Sequence, residues 1–267
     1  MRCRYVKFKI LIILMGIFIV LMVCSWKRRK KNFTLLHEQE RSEIWKWLWA
    51  EGNRIKSRMS NAPVSFVIKD TYISDTKADT IEEFENLVRL SVEWYKDIHN
   101  IDLKPFHIRW IEIGPSAMSY RESALFITDE AFERFTKADI VLSSIHEIIG
   151  HHHQDSFSPT SNTSAMKETC GLACEESLRS VSDDLVDRWR LLRVVRALID
   201  LRHNHGEEFG TELSVEKIYS YFEVTMMSLE TILHTITESP GYGLVYFYGN
   251  VGVNCACGKF MNRAHLV

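Results

Sequence analysis

The sequence predicts a mainly α-helical protein: one helical domain with a small strand element near its front, preceded by a single transmembrane helix. Three observations predict it. Apolar residues recur at helical spacing through most of the chain beyond residue 80. An uncharged run, "ILIILMGIFIVLMVC", occupies residues 10–24. The run "SSIHEIIGHHHQ", residues 143–154, closes an apolar helical stretch with four histidines and a glutamate.

The elements follow in order. Residues 1–9 form a basic tail with Arg2, Arg4, Lys7 and Lys9, and residues 10–26, ending at Trp26, are the predicted anchor. Seventeen uncharged residues are at the short end for a spanning helix, and Trp26 suits the interface. A cleaved signal peptide would need small residues at its end and few charges after it. Instead a basic juxtamembrane segment, residues 27–32 with "KRRKK", follows directly. It would bind anionic headgroups, so membrane lipid is an expected partner, and it favours a single-pass protein with a cytosolic domain.

The domain is expected over residues 33–267. An amphipathic helix reads over 33–60, with Ile44, Trp45, Leu48 and Trp49 as its apolar stripe. A strand is expected in "VSFVIKDTYI" (64–73), and a helix over 80–98, capped by Asp79 or Thr80, with Phe84, Leu87, Val88 and Val92 on one face. Further strands are predicted in "KPFHIRWIEIG" and at the start of "ALFITDEAFERF". From Thr136 the pattern is helical, with breaks at 155–163, at 204–214 and around Pro240.

Apolar content of 46%, charge of 25% and a net charge of -2 describe an ordinary globular domain and exclude a nucleic-acid binder. The cysteines at 3, 24, 170, 174, 255 and 257 form no secreted disulfide framework.

Chemistry concentrates around residue 146. Two imidazoles and a carboxylate form a nitrogen and oxygen donor set suited to Zn2+. A helical pair of histidines is normally four residues apart. Here the position four after His146 is Gly150, and His151 comes next. One inserted residue, a π-bulge, would bring His146 and His151 onto one face, and such insertions favour functional sites. Gly150 is the natural place for the distortion because it has no Cβ. His152 is the alternative second ligand, and His153 falls outside the set. Glu147 would act as general base on a water acidified by the metal. The third ligand is sought in "SAMKETCGLACEESLRSV": Glu168, Leu172 and Glu175 share a face. Glu168 ranks first as ligand with Glu175 supporting a histidine, or the reverse; Glu176 and Cys174 remain as alternatives.

These blocks resemble two zinc-peptidase families. "HEIIGH" is similar to the signature of the dipeptidyl peptidase III family, which is also one residue longer than usual. The wider resemblance is to the DUF885 family of gluzincin-like, mainly helical bacterial proteins. Its motif runs His-Glu, two residues, Pro-Gly-His-His, one residue, Gln. His146, Glu147, Gly150, His151, His152 and Gln154 follow that order without the proline. "ETCGLACEES" resembles the family's Glu-Gly-Trp-Ala block through Gly171 and Ala173; Leu172 replaces the tryptophan, and Cys170 stands where the ligating glutamate is expected. Arg196, Asp200 and His203 or His205 resemble a later run, and Pro240, Gly241, Leu244, Tyr246 and Gly249 another. Thr235 stands where the family has an arginine.

The resemblance covers about residues 140–250 and implies a zincin-like metallopeptidase domain. In supporting roles, Tyr246, His203 or His205 would donate to an oxyanion, and Asp200 would orient a histidine. The expectation is thus a membrane-anchored zinc metallopeptidase acting on a peptide or small amide substrate. Two alternatives stand beside it: a zinc amidase or esterase on a small molecule, and a non-catalytic protein that binds metal or a partner.

Overall fold

The structure, a computed structural model, describes residues 38–60, 62–114, 116–153, 164–205 and 213–245. The chain divides into two units, residues 1–44 and 45–267. The first contributes the opening turns of helix α1 (Glu38–Lys56); the account below concerns the second. The predicted anchor at 10–26 lies outside the described residues, among which no helix is long and apolar enough to cross a membrane.

The protein is mainly helical with small strand elements. From Trp45 onward α1 buries Trp45, Leu48 and Ile55. Two strands follow where one was expected: β1 (Ser65–Ile68) and β2 (Thr71–Ser74), paired antiparallel. Lys69 and Asp70 turn between them with φ of 43° and 63°. That is the conformation of a primed hairpin turn, usually filled by Asn-Gly or Asp-Gly, so the residues at this turn hid it. Helix α2 (Ile81–His99) starts at Thr80, whose side chain accepts from the Glu83 N–H at 3.1 Å, and buries the expected Phe84, Leu87, Val88 and Val92.

A three-stranded sheet comes next, in the order β3 (His107–Ile111), β5 (Ala124–Thr128), β4 (Met118–Arg121). β5 is buried along its whole length, parallel to β3 and antiparallel to β4. The β4–β5 turn also uses two non-glycine residues in the left-handed region, Glu122 and Ser123.

Thr128 at the end of β5 caps the short helix α3 (Asp129–Arg134). Helix α4 (Lys137–Ser144) opens with a reciprocal capping box between Thr136 and Asp139 and is buried along most of its length. It continues without a break into a π-helix, Ile145–His153. Helix α5 (Ser164–Ser177) packs against the π-helix, and a single 3₁₀ turn (Leu178–Ser180) leads to α6 (Asp183–His205). The break before α6 was not expected; there the Ser182 hydroxyl accepts from the Leu185 N–H at 3.2 Å. α6 is buried over most of its length, with Leu185, Val186, Leu198, Ile199 and Leu201 in the core and Arg193, Arg196 and Asp200 buried among them. Helices α7 (Val215–Phe222) and α8 (Leu229–Glu238) complete the described fold, each capped by a serine, Ser214 and Ser228. The break between them, closed by Glu223 at φ 55°, was likewise not expected.

Candidate metal centre

The one-residue excess between His146 and His151 is absorbed by the π-helix. In a π-helix the backbone hydrogen bond spans five residues, so residues five apart come onto one face. The His146 and His151 Nε2 atoms lie 3.1 Å apart, and both residues are buried. The distortion is spread over nine residues rather than confined to a bulge at Gly150.

Gly150 does something else. A Cβ there would come within 2.5 Å of the Gly171 Cα on α5. A Cβ on Gly171 would fall 2.4 Å from Cε1 of the His146 ring. The two glycines therefore let the helices touch backbone to backbone, with the imidazole lying flat on α5. This close approach brings Glu168 and Glu175, one face of α5, onto opposite ends of the same ring.

Glu168 Oε2 is 3.3 Å from His146 Nε2, and its Oε1 is 3.8 Å from His151 Nε2. Glu175 Oε1 is 2.5 Å from His146 Nδ1. The roles of the two carboxylates, open in the sequence, are thus separated: Glu168 faces the second histidine and Glu175 backs the first. His146, His151 and Glu168 are all buried, with ligand atoms within 4.8 Å of one another, and the cluster can chelate a metal ion. Ligand atoms about 2.0–2.1 Å from a tetrahedral ion lie about 3.3–3.4 Å from each other. The 3.1 Å between the two imidazole nitrogens and the 3.3 Å from His146 Nε2 to Glu168 Oε2 are close to that spacing; the other carboxylate oxygen, Oε1, lies 3.8 Å from His151 Nε2. Among the described residues, buried Glu168 Oε2 has no hydrogen-bond donor, an orphan that a cation would satisfy.

Electrostatics agree. Burial alone would lower the His146 pKa, but Glu175, Glu168 and Glu147 raise it. Burial would raise the Glu168 pKa, but His146 and His151 hold it well below the usual carboxylate range. The cluster is therefore built to surround positive charge. Glu147 differs: burial drives its carboxyl up to about 7, reinforced by the charge of Glu168 and opposed by His146 and the Tyr120 N–H. Its Oε2 accepts that N–H from β4 at 2.8 Å and lies 3.9 Å from His151 Nε2.

Three residues not singled out from the sequence complete the arrangement. The Arg193 guanidinium on α6 grips both oxygens of Glu175 and holds it charged against burial. The Tyr242 hydroxyl donates to Glu168 Oε1 at 3.3 Å. Tyr120 offers its N–H to Glu147, and its hydroxyl pairs with His152 Nδ1 at 2.6 Å. A buried helix carrying arginines was the available signal for Arg193; Tyr242, between two glycines in "SPGYGL", had only its neighbours, and Tyr120 had none.

The remaining candidates fall elsewhere. The second ring nitrogen of His152 faces the Lys104 carbonyl at 3.0 Å, so both its nitrogens have partners away from the triad. Glu176 pairs with Arg179 and Arg190. Cys174 lies by the Tyr95 hydroxyl, whose pKa burial and the thiol both push up. Asp200 accepts the Gly241 and Gly243 N–H groups at 3.0 and 2.7 Å and the Asn204 side chain at 2.7 Å, pinning the segment that carries Tyr242. His203 is exposed, 3.2 Å from the Thr237 hydroxyl. Tyr246 and the side chains of His153 and His205 lie outside the described residues.

No protein-family model matches the chain, and no curated protein matches it. Its fold is similar to that of a lipoprotein from Colwellia psychrerythraea of known crystal structure, with a TM-score of 0.57 and 15% identity. The match covers 84% of this chain and 47% of that one, so the chain spans just under half of the other's length. At this identity the likeness is one of fold.

Proposed function

We propose that the protein is a zinc-dependent hydrolase, a metallopeptidase of the zincin-like, DUF885-related kind, held at a membrane by residues 10–26. The observation that carries the reading is the buried His146, His151 and Glu168 triad with Glu147 one residue along the same π-helix. These three side chains would hold zinc, and the ion would supply Lewis-acid chemistry, polarising a carbonyl and acidifying water. Glu147 takes the proton of the attacking water on a carboxylate oxygen and returns it to the departing amine. The Tyr120 N–H fixes where that carboxylate points, and Glu175 sets the tautomer of His146 by accepting its Nδ1–H.

The test begins with zinc per chain by plasma mass spectrometry on the detergent-solubilised full chain, beside His146→Ala, His151→Ala and Glu147→Gln. The reading expects one zinc in the parent, loss in both histidine variants, and retention in Glu147→Gln with hydrolysis of a peptide panel abolished. A well-folded parent that takes up no zinc would overturn it. Amide or ester cleavage on a small molecule is the alternative reading, since the same triad and general base would serve it. Including esters and simple amides in the panel separates the two.

A further inference from the structure

We propose that Tyr120 and His152 form a clasp that positions the general base: the Tyr120 hydroxyl, held by His152, fixes the backbone N–H on which the Glu147 carboxylate rests. This rests on the hydrolase reading above and gives a positioning role to the third histidine of the run. The π-helix that stacks His146 on His151 also stacks Glu147 on His152, because that pair too is five residues apart. The first pair meets Glu168 on α5, and the second meets Tyr120 on β4.

Tyr120 reaches both members of the second pair. Its N–H donates to Glu147 Oε2 at 2.8 Å, and its hydroxyl lies 2.6 Å from His152 Nδ1. The far side of the imidazole sets the direction of that second bond. The Lys104 carbonyl, 3.0 Å from His152 Nε2, can only accept, so Nε2 carries a proton. In the neutral ring Nδ1 is then bare and accepts from the tyrosine hydroxyl. Phe106 meets the same imidazole edge to face, with centroids 6.5 Å apart, and seats it further.

The backbone of Tyr120 gains from such a hold. β4 is an edge strand of four residues, and Tyr120 stands opposite Leu125 of β5. In an antiparallel ladder, opposed residues alternate between pairs that exchange hydrogen bonds and pairs that do not. The Tyr120 N–H points to the π-helix, so Tyr120 and Leu125 are a pair of the second kind. The ladder does not tie the chain at this residue, and the side chain supplies the tie instead. One residue of β4 thus grips one face of the π-helix at two points, a carboxylate and an imidazole five residues apart.

The experiment compares the zinc-loaded full chain with Tyr120→Phe, His152→Phe and the double variant, on a panel member that the parent cleaves. All four should hold one zinc per chain; loss of zinc from Tyr120→Phe would place the contact in the metal seat and overturn the proposal. One lost hydrogen bond corresponds to an effect of about 3- to 10-fold, which should fall on kcat in each single variant and leave KM unchanged. Because the two residues act as a unit, the double variant should be no slower than either single one. An unchanged kcat in Tyr120→Phe overturns the clasp and leaves the hydrolase standing; so do losses that multiply in the double variant. Should His152→Phe fail to fold, kcat in Tyr120→Phe decides alone.

Calorimetry of acetohydroxamate on the same zinc-loaded chains gives a readout without turnover. This small chelator gives up its hydroxyl proton as it binds, and Glu147, 3.9 Å from the His151 ligand nitrogen, is the carboxylate placed to receive it. Tyr120→Phe should weaken binding by the same factor and have no further effect once Glu147→Gln is present. That result supports the clasp even if the parent cleaves nothing, an outcome that would sink the hydrolase alone. No weakening in Tyr120→Phe, or a weakening that persists on Glu147→Gln, overturns the clasp, and a chain that holds no zinc overturns both.

Discussion

Gly171→Ala should damage the metal centre although it adds only one methyl group and removes no ligand. In an ordinary helix interior the change would stabilise by about 1 kcal/mol, because alanine is the better helix former. At this position the new Cβ would lie 2.4, 2.6 and 2.7 Å from Cε1, Nδ1 and Nε2 of His146. Ordinary contact begins at 3.4 Å, so the ring or the helix must give way by about 1 Å (3.4 less 2.4). The ring has nowhere to go, since Glu175 holds its Nδ1 and the π-helix fixes its Cα. Overpacking of this kind costs about 1–3 kcal/mol, which outweighs the propensity gain and gives a net loss of up to about 2 kcal/mol. Metal ligands tolerate about 0.2 Å of error, so a shift five times larger should lower zinc affinity about 100-fold or more. Competition with a chromogenic chelator measures the affinity, and thermal denaturation with and without chelator measures the stability. A Gly171→Ala protein that melts higher than the parent and binds zinc equally well would refute the backbone-to-backbone contact and the seating of His146 on it.

Other consequences are open to simpler tests. His152→Asn should keep its zinc, because both imidazole nitrogens of His152 are engaged by Tyr120 and the Lys104 carbonyl; loss of those bonds should cost about 1–2 kcal/mol in denaturant titration. Asp75 takes both terminal nitrogens of Arg188 at 2.8 Å, and although burial raises its pKa, Arg188 and the Val64 N–H bring it below the ordinary aspartate range. A carboxylate held low stabilises the fold above its unfolded pKa and loses that contribution as pH falls through its folded value. Asp75→Asn should therefore cost about 1–2 kcal/mol near neutral pH, and its stability should converge with the parent's as pH falls through and below the ordinary aspartate range. Ser123→Gly, at φ 60° in the β4–β5 turn, should raise stability by about 1 kcal/mol by relieving a left-handed non-glycine residue; an unchanged melting temperature would argue against strain there.

The parts of the site legible in the sequence were those carried by one helical face. His146, Glu147 and His151 sit in one run, and Glu168, Leu172 and Glu175 recur at a spacing that any α-helix turns into a stripe; all three of the latter are buried. Choosing between Glu168 and Glu175 was beyond that logic, because it depends on which end of the imidazole each reaches across the glycine contact. Tyr120, Arg193 and Tyr242 come from three further segments, and their partnerships exist only once β4, α6 and the chain after α8 converge. Helix α2 announced itself through Thr80 and its apolar period, whereas the hairpins did not, since Lys69-Asp70 and Glu122-Ser123 lack the glycine or asparagine that marks a primed turn. Gly150 was noticed for the backbone distortion, which does run through it; that its missing side chain also makes room for another helix was not legible.

The extra residue between the two histidines also cannot be edited away. Removing one isoleucine from "HEIIGH" would leave a motif of ordinary length and let the segment wind as a regular helix. It would also carry Gly150 out of register with Gly171 and turn a side chain into the seam where the two helices meet. The lengthened motif and the glycine pair are one device, inherited or lost together, and a search keyed to the common spacing would pass this chain by.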